Sequence, residues 1–180
     1  SAMITDETMI QFKMLNQSKG PAMWSPRAQS DRMLFARRWR QVLEGIDNLD
    51  FWQEMVTGLV VKDGRIEGVK TSLGLHLKAK TVILTNGTFL NGLIHIGDKK
   101  FGGGRAAERP AIGITADLEK LGVSSGRMKT GTPPRVDGRT LDFSKMEEQP
   151  GDDKMVGFSF KDTKKPNKQR SCYITYTSPE

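Results

Sequence analysis

The chain is poor in the residues that crosslink proteins or bind metals: one cysteine, Cys172, and two histidines, His76 and His95. One thiol excludes an internal disulfide and a cysteine-based zinc cluster, and so few histidines argue against a histidine-rich metal site. No metal ligands are therefore expected. No apolar run approaches the roughly 20 residues that span a bilayer, and no signal peptide is visible, so no membrane partner and a cytoplasmic location are expected. Without a secretory signal, the glycosylation-like triplets Asn16-Gln17-Ser18 and Asn86-Gly87-Thr88 are coincidental. Phosphate loops of the Walker type, nucleophile elbows and zinc signatures are missing as well. The adjacent acidic pairs Glu147-Glu148 and Asp152-Asp153 sit in loop-like sequence, where neighbouring side chains rarely converge on one substrate. No catalytic residue is assigned. Ser1-Ala2 ahead of Met3 reads as a scar of tag cleavage.

What is present is an ordinary globular composition. The 180 residues are 36% hydrophobic and 27% charged, enough for about one domain with a real core. The net charge of +7 favours an anionic partner, with a merely solvated basic surface as the equal alternative.

Ser25-Pro26 has the form of a helix start, and Ala28, Phe35, Trp39, Val42 and Ile46 recur near helical spacing. They predict a helix from Ser25 to Glu44, stopped by Gly45, with Arg27, Arg32, Arg37, Arg38 and Arg40 on its outer face. From residue 49 onward the pattern is β-rich. Asp63-Gly64 predicts a hairpin between "GLVV" and "IEGVKT", with "LHLKA" as a third strand. "TVILT", residues 81–85, lacks polar alternation and predicts a strand buried on both faces of a parallel sheet. Residues 111–121 predict a short helix ending at Gly122, and "VSSGRMKT", "MVGFSF" and "SCYITYT" predict further strands.

Two loops carry candidate chemistry. In "FGGGRAAERP", Gly102, Gly104 and Ala107 have the formal spacing of a dinucleotide fingerprint, but no strand feeds it and Pro110 blocks the helix it requires. The better reading is a loop that approaches a ligand through bare backbone, with Arg105 as an anion contact. In "RMKTGTPPRVDGR", Arg127, Lys129 and Arg135 stand among hydroxyls, prolines and glycine, which suits phosphate binding. A structural turn with incidental charge is the competing reading.

Taken together, "LNQSKGPAMWSPRAQSDR", "KTVILTNGTFLNGLIHIG", "GGRAAERPA", "GRMKTGTPPRVDGRTLDFS" and "CYITYT" resemble the glucose-inhibited division protein A (GidA) family, collinearly over almost the whole chain. The resemblance implies an α/β fold of mixed helices and strands. It would be part of a glutathione-reductase-like FAD/NAD(P)-binding fold with a β-meander, plus part of an inserted domain. Residues 1–92 would belong to the FAD-binding domain, lacking its N-terminal glycine-rich loop. Residues 93–180 would be a loop-rich α+β segment and the start of the inserted substrate or NAD domain. The implied activity is modification of the wobble uridine of tRNA at C5. It uses FAD, with NADH and methylenetetrahydrofolate as co-substrates.

Implied partners are tRNA, a partner GTPase docking through a C-terminal domain, and a second copy in a homodimer. The chain alone is expected to be inactive. By position, Val56, Gly87, Thr88 and Ala111 match cofactor-contacting positions, Val56 on the adenine side of FAD and Gly87 and Thr88 beside the flavin. Some relatives carry serine where this chain has Ala111. Lys129 and Arg135 match the family's KTGTPPR segment and are expected to meet substrate RNA or cofactor phosphate. Cys172 is expected to be structural. Two other classes compete: a generic FAD/NAD-dependent oxidoreductase, and a non-enzymatic RNA-binding module.

Overall fold

The computed structural model describes residues 1–131, 136–161 and 165–177. The chain divides into two compact units, Ser1–Asp50 with Arg135–Glu180, and Phe51–Pro134.

In the first unit, helix α1 (Ala2–Thr8) runs directly into strand β1 (Met9–Leu15), which pairs antiparallel with β2 (Ser25–Ser30). Met9 and Phe12 are each 2% exposed and form the centre of this unit's core. Ring packing between Phe12 and Phe158, edge-on at 6.1 Å, extends it. The expected helix start at Ser25-Pro26 is overturned. Those residues lie in β2, where Pro26 stands opposite Met14, and an edge strand tolerates the missing N–H of proline. The helix α2 (Arg32–Glu44) begins instead at Asp31, whose carboxylate accepts the Leu34 N–H at 2.9 Å. Arg27 therefore leaves the arginine face and joins the strand. Phe35, Trp39 and Leu43 are the half-buried stripe of α2, spaced one turn apart.

Beyond β1 the chain closes over the strand's free edge with loops rather than a third strand. Asp152 N–H donates to Phe12 O at 2.9 Å and Arg170 N–H to Ile10 O at 2.8 Å. The Gln169 carboxamide spans the same edge, accepting Phe12 N–H at 2.6 Å and donating to Asp152 O at 2.7 Å. "MVGFSF" is not the expected strand. Its backbone wraps the fully buried Asp6, whose two carboxylate oxygens accept Phe158 N–H at 2.7 Å and Ser159 N–H at 3.0 Å. A buried carboxylate must be hydrogen-bonded, and two amides curled toward one carboxylate cannot also extend along a ladder. From "SCYITYT" only Cys172–Ile174 forms a strand, paired antiparallel with Glu147–Gln149.

In the second unit, β3 (Val56–Lys62), β4 (Arg65–Thr71) and β5 (His76–Lys78) form the expected antiparallel meander. Asp63 and Gly64 take φ of 49° and 73°, the pair of positive values that a tight two-residue hairpin demands. A second hairpin, β6 (Leu93–Ile96) and β7 (Lys99–Gly102), precedes helix α3 (Ile114–Lys120), which stops at Gly122 as expected. Residues 81–85 do not form the expected buried strand: Ile83 is 85% exposed, and among the described residues nothing pairs with the run. A strand is defined by its ladder, so an apolar extended run without a neighbour remains irregular. "VSSGRMKT" is irregular for the same reason. Among the described residues, no helix is long and apolar enough to cross a membrane.

Candidate cofactor turn

Residues 86–92, "NGTFLNG", make a compact double turn between the irregular 81–85 run and β6. Phe89 N–H donates to Asn86 O at 3.1 Å, and Gly92 N–H donates to Phe89 O at 3.1 Å. The turn is held from outside by a short parallel bridge between Leu90 and Ala111. Ala111 is buried, and both its backbone groups face the turn: its N–H donates to Phe89 O at 2.9 Å and its carbonyl accepts Asn91 N–H at 2.8 Å.

The glycine run of β7 and the following loop packs against the turn's other side. Gly103 N–H donates to Gly92 O at 3.0 Å. A Cβ on Gly104 would stand 2.6 Å from the Phe89 ring, and one on Gly92 would stand 2.6 Å from the carbonyls of Gly103 and Thr88. These glycines exist so that two loops can touch. They are therefore not a phosphate cradle. Arg105, expected as an anion contact, pairs with Glu108 at 3.0 Å across the tight turn that follows.

What the turn leaves unused is at its tip. The backbone N–H groups of Gly87 and Thr88 have no partner among the described residues, and both residues are exposed. Gly87 has φ of 56°, and a Cβ there would meet nothing within 4 Å. Thr88 Oγ1 is turned away, toward Gly104 O at 3.4 Å. Two adjacent free amides beside open space can hold the oxygen or nitrogen edge of a polar ligand.

Val56 heads β3, next to Thr57, whose carbonyl lies under Gly113, two residues past Ala111. Gly87, Thr88 and Ala111, three of the four expected cofactor residues, lie in or against the turn, and Val56 stands at the head of β3. The α3 helix is fastened to the same strand by Asp117, whose Oδ2 accepts Leu59 N–H at 3.0 Å. That bond, followed by Lys120 at 3.0 Å, holds the Asp117 carboxyl below the usual carboxylate range.

Of the basic candidates, Arg127 donates from Nη1 to Asn91 O at 3.2 Å. Lys129 is exposed, with no ion partner among the described residues, and Arg135 lies outside those residues. Sequence reasoning missed Asn91, which carries a positive φ of 47°, donates its N–H to Ala111 O and accepts Arg127 at its C=O. Asparagine before glycine is a signal for that conformation. Asp117 was also missed, and nothing local marks it.

The meander, the helix fastened to it and the glycine-packed turn make this an α/β unit of mixed helices and strands. The family model of glucose inhibited division protein A matches residues 1–180, and the chain belongs to that family. It is 66% identical over 179 residues to the tRNA uridine 5-carboxymethylaminomethyl modification enzyme MnmG of Flavobacterium johnsoniae, covering 99% of this chain and 29% of the relative. The MnmG of Christiangramia forsetii is 67% identical over 181 residues, covering 100% of this chain and 29% of the relative. Among solved structures, Aquifex aeolicus GidA in its form I crystal aligns with a TM-score of 0.84 at 44% identity, covering 99% of this chain and 31% of that one. The chain therefore spans under a third of the length of the relatives it matches.

Proposed function

We propose that this chain is the part of a cytoplasmic, FAD-dependent tRNA-modifying enzyme that presents the cofactor-side turn. The free, exposed amides of Gly87 and Thr88 carry this reading, in a family whose relatives are named as tRNA uridine modification enzymes. The residues suit the group: a backbone that bears two N–H donors and no Cβ at Gly87 admits a flat polar ring edge closely. When bound, FAD would supply the redox and one-carbon-transfer chemistry at C5 of the wobble uridine, with NADH and methylenetetrahydrofolate as co-substrates.

The protein's share is binding and orientation. Gly87 and Thr88 would donate to the flavin, and the backbone at Val56 would meet the adenine side. Ala111, whose N–H and C=O are bonded to Phe89 and Asn91, would hold the turn and meet the cofactor by close packing rather than by a backbone hydrogen bond. Lys129 and Arg135 would meet the phosphates of tRNA or of the cofactor, and Arg105, tied to Glu108, would contribute only its charge. A partner GTPase and a second copy complete the proposed assembly of the whole protein.

The test is FAD titration of the full-length protein, followed by flavin fluorescence, with and without Gly87→Asn. Asparagine tolerates positive φ, so the variant keeps the fold while filling the open space. FAD affinity should fall at least about tenfold, which is about 1.4 kcal/mol. Unchanged affinity would remove Gly87 from the cofactor site. Titrating tRNA at two salt concentrations separates the remaining classes: flavin without salt-sensitive tRNA binding means a generic oxidoreductase, and tRNA binding without flavin means an RNA-binding module.

A further inference from the structure

We infer that Arg127 is a positioning residue for the cofactor turn, acting through the carbonyl of Asn91; this rests on the reading that Gly87 and Thr88 meet the flavin. Its neighbours in sequence make Arg127 a candidate phosphate contact. In the structure its guanidinium is engaged with backbone, donating to Asn91 O at 3.2 Å. No carboxylate among the described residues competes for it, so its charge is directed at one carbonyl.

The carbonyl it holds matters because of where Asn91 stands. Asn91 has φ of 47°, a left-handed conformation that asparagine adopts more readily than other non-glycine residues and that the bonds around it hold here. Its N–H is fixed by Ala111 O at 2.8 Å on one side, and its C=O by Arg127 on the other. The 91–92 peptide is held at both ends, at its C=O by Arg127 and at its N–H, that of Gly92, by Phe89 O at 3.1 Å, so loss of the Arg127 bond leaves it held at one end. The two bends share Phe89, whose carbonyl accepts Gly92 N–H and whose N–H donates to Asn86 O, so a shift of the 91–92 peptide is passed on to the 86–89 bend. Gly87 and Thr88 lie inside the second bend, so the direction of their free amides depends on Asn91.

The other side of the turn cannot substitute for this tether. Gly103 N–H holds the carbonyl of Gly92 at 3.0 Å and the Gly104 backbone packs on the Phe89 ring, but neither bonds the Asn91 carbonyl. Ala111 fixes Asn91 through its N–H alone. Arg127 is the contact that fixes the carbonyl. It is also two residues ahead of Lys129, so the bond sets the point from which the basic 129–131 segment departs.

The experiment uses the full-length protein carrying Arg127→Met, which keeps an apolar stem and removes the donors, beside Arg127→Lys, which keeps a donor and the charge. Both are read by FAD affinity, by the shape of the bound flavin's visible absorption band, and by tRNA affinity. Loss of one charge-assisted bond is expected to weaken FAD binding about tenfold in Arg127→Met and to blur the band's shoulder. Arg127→Lys should recover most of both, and tRNA affinity should change less than FAD affinity. Arg127 is exposed, so the melting temperature of the cofactor-free protein should hold.

Unchanged FAD affinity and spectrum in Arg127→Met, where Gly87→Asn weakens binding, would overturn the inference and leave the site standing. Lost tRNA affinity with intact FAD binding would overturn it too, by making Arg127 a phosphate contact. If Gly87→Asn itself leaves FAD binding unchanged, the reading of the site fails and the inference falls with it.

Discussion

Asp117 Oδ2 and the backbone N–H of Leu59 lie 3.0 Å apart, a single bond that fastens the first turn of α3 to β3 across 58 residues of sequence. The Gly58 backbone allows it, since a Cβ on Gly58 would stand 2.9 Å from that same oxygen. The meander and the helix that carries the Ala111 segment into place are thereby one piece.

The bond gives the unit an acid sensitivity with a defined sign. Leu59 N–H, and secondarily Lys120, lower the Asp117 carboxyl below its unfolded value. A carboxyl depressed in the folded state stabilises above its unfolded pKa, about 4, and that stability is lost as pH falls through the lower folded value. Asp117→Ala should cost about 1–2 kcal/mol at pH 7. Melting curves of parent and variant should converge toward pH 3; a gap that stays constant with pH would assign the loss to packing instead.

Gly113 is the least replaceable residue near the turn. It has φ of 111°, and a Cβ there would stand 2.0 Å from the Thr57 carbonyl oxygen. Gly113→Ala should destabilise by about 2–4 kcal/mol, through backbone strain and displacement of β3. Urea unfolding measures it, and a loss under about 0.5 kcal/mol would mean the contact relaxes freely.

The two candidate starts of α2 make opposite demands. Asp31→Ala should cost about 1 kcal/mol and speed hydrogen exchange at residues 33–35, because the carboxylate caps Leu34 N–H. Ser25→Ala should leave α2 untouched, since Ser25 Oγ donates to Met23 O within the preceding turn. Faster exchange in α2 after Ser25→Ala would restore the earlier helix start.

Changing Lys129 and Arg135 together to alanine in the whole enzyme should reduce tRNA modification. If both meet phosphates, the slope of log affinity against log salt should shrink by roughly 0.7–0.9 for each. Full modification with an unaltered slope would return the segment to a structural turn.

Local chemistry makes part of this molecule legible in its residues alone. Asp63-Gly64 marks the hairpin, Gly122 ends α3, and the collinear family segments mark the lineage. In the turn and the helix end, the signal and its consequence lie within a few residues, where backbone conformation decides. The failures share the opposite property. Ser25-Pro26 has a helix start's form, yet pairing with Met14 and Leu15 claims it for a strand. "MVGFSF" has a strand's composition, yet the carboxylate of Asp6, more than 150 residues earlier, draws its amides inward.

The glycine run 102–104 has a cofactor loop's spacing, but the backbone of Gly103 and Gly104 packs against Gly92 and Phe89. Arg127, expected near phosphate, also donates to a carbonyl 36 residues away, which its sequence neighbours do not foretell. The sequence alone determined the turns, the helix end and the family. Tertiary structure decided which amides stayed free, because a backbone donor is available to a ligand only when no distant part of the chain has reached it first.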